Sequence, residues 1–103
     1  MQLETHSGRP IKNPDERQID AAIQGLTSDD AFAILSRDDM NYMQAGGTVS
    51  EGFQLEYQSG GTDKHFAAAN GPHSADQVSR AFRLYAVSDP KWQTDFAWEP
   101  MSL

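Results

Sequence analysis

Three histidines, two pairs of adjacent carboxylates and two closely spaced arginines are the groups in this chain that could do chemistry. The spacing of His6, His65 and His73 matches no helical zinc pair. A strand at His65 and a helix starting after His73 could bring those two together, with Asp76 completing a weak metal site. The reading adopted is that they are solvated or capping histidines, with no metal and no cofactor. Asp29-Asp30 and Asp38-Asp39 could divide general-acid and general-base roles if their environments differed. Both pairs sit where turns favour Asp. The stretch Asp38-Asp39-Met40-Asn41 also lacks the ligand spacing of a calcium loop. Arg80 and Arg83 could hold an acidic group, but in so acidic a chain they are expected to pair with its own carboxylates. No residue is assigned as catalytic.

The familiar catalytic signatures are missing. There is no Gly-x-Ser-x-Gly elbow, phosphate loop or dinucleotide fingerprint. Gly46-Gly47 and Gly60-Gly61 precede no helix with a suitable lysine and read as hairpin and loop glycines. The chain has no cysteine, which excludes disulfides, thiolate metal sites and cysteine nucleophiles. Eight Lys+Arg against 15 Asp+Glu give a net charge of −7. Nucleic-acid binding is disfavoured, because Lys and Arg must neutralise phosphates to supply its affinity. A basic protein partner would instead be steered toward this surface. The longest apolar run, Ala31 to Leu35, is far too short for a membrane span. Met1 to Pro14 lacks the basic-then-apolar pattern of a signal peptide, so the expected compartment is the cytoplasm.

The elements that must position these groups follow from capping and periodicity. The 103 residues suit one domain. Residues 1–12 read as a loosely held lead-in, with a short edge strand near Leu3, and 13–103 as the domain. Asn13 as N-cap, Pro14 at the first helical position and Glu16 in a capping box predict a first helix. Ile19, Ala22, Ile23 and Leu26 mark its buried face, and Gly25 its left-handed end. Strands are predicted at Ala31–Ser36, Asn41–Ala45, Gly52–Gln58 and Lys64–Ala69. The first two form a hairpin turning at Arg37 to Met40, and Gly46-Gly47 ends the second. Ser74 with Gln77 caps a second helix whose stripe is Val78, Ala81, Phe82 and Tyr85. Asp95–Glu99 is the last strand, with Phe96 and Trp98 on one face. The order is α-β-β-β-β-α-β. It describes an α+β domain, an antiparallel meander sheet of about five strands packed against two helices.

In the Gly52–Gln58 strand, Phe53, Leu55 and Tyr57 alternate with Gln54, Glu56 and Gln58. If the first set faces the helices, the second faces out, joined by Tyr42 and Gln44. Such a face could dock a protein, because Tyr offers apolar area with a polar tip. Trp92, in the connection after Asp89-Pro90, could be an exposed anchor or could pack over the end of the second helix.

Taken together, the Pro-led helix, the Gly52-Phe53-x-Leu55-x-Tyr57 strand, the helix starting at Ser74 and the closing Phe96-Ala97-Trp98-Glu99 carry a resemblance. Over residues 11–103 the chain resembles small bacterial immunity proteins of polymorphic-toxin systems, especially those that neutralise deaminase toxins. The resemblance implies a cytoplasmic, non-enzymatic inhibitor that blocks a toxin by binding it, and it identifies no toxin contact residue. Two other readings stand beside it. One is a small ligand-binding or enzymatic domain with a helix–sheet pocket seeded by His65, His73 and Arg80. The other is a self-associating subunit, so both monomer and homodimer remain open.

Overall fold

The computed structural model describes residues 1–101. In chain order its elements are β1 (Gln2–Thr5), β2 (Ile11–Lys12), α1 (Glu16–Gln24), β3 (Phe32–Ser36) and β4 (Asn41–Thr48). They continue with β5 (Gly52–Ser59), β6 (His65–Ala68), α2 (Ala75–Ala86), α3 (Trp92–Asp95) and β7 (Trp98–Met101). A single 3-10 turn, Thr62–Lys64, leads into β6. The α+β class is as predicted, with seven strands and three helices among the described residues where about five and two were expected.

The strands form one antiparallel sheet in the order β2-β1-β3-β4-β5-β6-β7. Its register sets two lines of side chains. Leu3, Leu35, Met43, Tyr57 and Phe66 stand side by side across five strands. Gln58, Tyr42 and Ser36 form a neighbouring row of opposite parity, as do Glu56, Gln44 and Ile34. Because side chains alternate along a strand, these sets occupy opposite faces. The first face carries the core. Leu3, Ala33, Leu35, Met43, Ala45, Phe53 and Leu55 pack there against Ile19 and Ile23 of α1 and Val78, Ala81, Phe82 and Tyr85 of α2.

Helix α2 forms where its sequence predicts. Ser74 accepts from the Gln77 amide, the Gln77 side chain returns to the Ser74 amide, and the four stripe residues are buried. Helix α1 starts two residues later than predicted. Its capping box is Asp15 with Gln18, not Asn13 with Glu16, and Asn13 adopts a positive φ of 49° before it. Gly25 ends α1 in a right-handed conformation (φ −86°), not the left-handed one expected. Arg83 of α2 pairs with Asp20 of α1 at 2.7 Å, tying the two helices together.

Three further expectations are corrected. The lead-in is the ordered β1–β2 hairpin, and β1 is an inner strand with Leu3 fully buried. Gly46-Gly47 does not end β4, which runs on to Thr48. Gly47 is needed there because a Cβ at its φ of 130° would collide with the Gly52 carbonyl oxygen. The final strand starts at Trp98, since residues 92–95 turn into α3.

Candidate functional site

The second face of the sheet carries no helix. From β3, β4, β5 and β6 it presents Phe32, Ile34, Tyr42, Gln44, Gly46, Gln54, Glu56, Gln58 and His65. Five of these are the proposed protein-binding residues Tyr42, Gln44, Gln54, Glu56 and Gln58, which the structure brings together on one surface.

Four of the five join a hydrogen-bonded chain centred on His65. The His65 ring lies 2.7 Å from Glu56 Oε1 through Nε2, and 3.1 Å from Gln58 Oε1 through Nδ1. The Tyr42 hydroxyl donates to Gln58 Oε1 at 3.2 Å, and Gln44 Nε2 donates to Glu56 Oε1 at 3.0 Å. Gln58 Nε2 turns the other way and donates to the Met40 carbonyl at 3.3 Å. The Tyr42 ring meets the imidazole edge-on, with centroids 6.0 Å apart. Cover from Tyr42 and the neighbouring strands leaves His65 only 2% exposed, although no helix lies above it. Burying the His65 ring and the Gln58 amide is tolerated because the polar atoms of both find partners. Burial, with the nearby Glu56 charge, raises the Tyr42 phenol above its usual value.

Gln58 departs from expectation here. It was expected to face solvent, yet it is 4% exposed and serves as the hub of this network. Its cross-strand partner is His65, so their side chains share a site that periodicity within one strand does not reveal.

Beside the network lies a shallow depression of about 360 Å³, lined by Phe32, Ile34, Gln44, Gly46, Gln54 and Glu56. Phe32 is 38% exposed, with His6 edge-on at 5.5 Å. Gln54 is exposed, and Ile34, Gln44 and Glu56 are half-buried. Phe32 and Ile34 were not singled out from sequence, where their strand read as a wholly apolar run. The pairing of Phe32 with Gly46 and of Ile34 with Gln44 is what places them on the open face.

Trp92 is not an exposed anchor. It is 6% exposed in α3 and meets Tyr57, Tyr85 and Trp98 edge-on, with centroids 4.8, 5.6 and 5.7 Å away. It packs over the end of α2, the alternative the sequence left open.

The seeds of a helix–sheet pocket do not converge. His73 bridges to Phe53, on the helix-covered face, and its ring meets Phe96 edge-on at 5.0 Å. His65 is on the opposite face. Arg80 is exposed and paired with Asp95 at 2.8 Å. Among the described residues, no group of three or more His, Cys, Asp or Glu side chains is placed to hold a metal ion. One carboxylate of each pair has a structural partner: Asp38 caps a turn, and Asp30 ties its loop to Ser7 near the N-terminus. Asp38 Oδ1 accepts from the Met40 and Asn41 amides at 2.8 and 2.9 Å, and these bonds hold its carboxyl below the usual range. Asp30 accepts from the Ser7 amide and hydroxyl, and its carboxyl is lowered likewise.

No family model, curated protein or solved structure matches the chain. No helix among the described residues is long and apolar enough to cross a membrane.

Proposed function

We propose that the chain is a non-enzymatic protein-binding domain that docks a basic partner through its helix-free sheet face. The observation that carries this reading is the composition of that face. Exposed Phe32 and half-buried Ile34 adjoin a hydrogen-bonded network of Tyr, Gln and Glu. Apolar area beside polar side chains already held by hydrogen bonds suits a docking surface, because those side chains have less freedom to lose on binding. Charge supports a basic partner. By register the face displays Glu4, Glu56 and Glu99, against one lysine, Lys12, on the outermost strand.

The same geometry weighs against catalysis on this face. Both His65 nitrogens are engaged and the ring is buried, so neither can reach a substrate proton. Strand pairing between two copies is also poorly served. The edges are the two-residue β2, preceded by Pro10, and the four-residue β7, which contains Pro100. An inhibitor of a basic bacterial toxin, acting in the cytoplasm, is the specific role this reading favours.

The test is capture from native cells at low and physiological salt, with wild type beside Gln54→Lys. One stoichiometric basic partner, weakened by salt and by the lysine, is the expected result. A partner indifferent to both, or none at all, contradicts the proposal.

A further inference from the structure

We infer that the depression beside Glu56 is a socket for a single arginine side chain of the partner. The inference rests on the docking role proposed above and names the chemistry of its anchor. Glu56 Oε1 is already committed to His65 and Gln44. Among the described residues, Oε2 has no partner, and Glu56 lines the depression. Gln44 commits its Nε2 to Glu56, which leaves its Oε1 as a second acceptor lining the depression. Exposed Gln54 adds a third acceptor at the rim. No cationic side chain lines the depression. Phe32 and Ile34 line it from β3, across β4 from Gln54 and Glu56 of β5.

A ring face, an aliphatic wall and acceptors around one carboxylate match the parts of an arginine. The guanidinium fork meets the acceptors, its plane lies on the Phe32 ring, and its methylene stem lies on Ile34. Lysine fits less well, because its ammonium is a strongly hydrated point charge that cannot engage spread acceptors in one plane. Gly46 keeps the floor open. It stands between Phe32 and Gln54 in the register, and its backbone φ lies outside the region that favours glycine. An added Cβ would meet only the Ala31 carbonyl oxygen, at 3.4 Å. The strand therefore does not need glycine here, whereas the depression does.

The test is titration of isotope-labelled protein with N-acetyl-arginine amide, N-acetyl-lysine amide and uncharged N-acetyl-citrulline amide, followed by NMR. The arginine amide should shift the Phe32, Gln44, Gly46 and Gln54 amides saturably. Glu56→Gln should weaken it about tenfold, the equivalent of one charge-assisted hydrogen bond. Gly46→Val should abolish it while leaving distant resonances in place, and it remains informative should Glu56→Gln disturb the buried network. Equal binding of the lysine or citrulline amide, shifts elsewhere, or indifference to both substitutions overturns the socket. If arginine amide fails to bind while Gln54→Lys still weakens partner capture, the socket falls and the docking role stands. Self-association lost in Gly46→Val would assign the depression to a second copy of the chain and overturn the inference.

Discussion

The two faces of one sheet have opposite chemistry, although they are built from alternate residues of the same strands. On the covered face Phe53, Leu55 and Met43 meet Phe82, Val78 and Ile23, all at or near zero exposure. Specificity there comes from shape. On the open face, polar residues do the packing: Tyr42, Gln44, Glu56, Gln58 and His65 interlock through hydrogen bonds. A solvated face kept only for solubility does not need a buried histidine with both nitrogens engaged. The difference teaches that order without a cover is a feature to explain, and preorganisation for a partner is the explanation that the proposed docking role offers.

The sharpest contrast between the faces is one of stability. Phe82→Ala should destabilise the domain by about 3–5 kcal/mol, through lost burial and the cavity left behind. Phe32→Ala, with its ring already partly in water, should cost only about 1–2 kcal/mol in the same urea unfolding series. Comparable losses at both sites would erase the distinction. His65→Leu tests the network. It strips Gln58 and Glu56 of a partner and should lower stability by about 1–3 kcal/mol. No change would mean that the network adds no order. Ser74→Ala removes the α2 cap and should lower the unfolding midpoint by an amount worth about 1 kcal/mol. That loss falls on the covered face and should leave partner binding intact.

Alkaline pH gives the gentlest probe. Burial raises the phenols of Tyr57 and Tyr85, with the Arg37 guanidinium 5.0 Å above the Tyr85 ring partly opposing the shift. An acid whose folded value is raised favours folding while neutral. Its contribution is complete below the unfolded value of about 10 and is lost as pH rises through the higher folded value. Urea midpoints should therefore fall above pH ~10, and Tyr85→Phe should make the fall shallower. An unchanged slope in that variant would show that Tyr85 is not among the groups responsible.

How far the sequence could be read follows from how local each signal is. Helix α2 was legible because Ser74, Gln77 and the four-residue stripe lie within twelve positions. The turn between β3 and β4 was legible because Asp38 caps it through its immediate neighbours. The N-terminal hairpin was not. Leu3 is held by pairing with Leu35, far along the chain, and its own strand has too few apolar residues to show alternation. The candidate site divides in the same way. Alternation in β5 separated Gln54 and Glu56 from the core, whereas the Gln58–His65 contact depended on a register between strands. Trp92 stayed undecided between an anchor and a packed residue because Asp89-Pro90 suggested an open connection, and the chain instead makes one helical turn that delivers the indole to Tyr57 and Tyr85.

The most direct test of the central claim is a matched pair of lysines placed on exposed apolar residues. Phe32→Lys alters the open face, and Val87→Lys alters a residue 73% exposed just after α2. Partner capture from native cells should be lost with Phe32→Lys and retained with Val87→Lys. Capture that survives Phe32→Lys, or that is lost only with Val87→Lys, would contradict the assignment of the helix-free face as the docking surface.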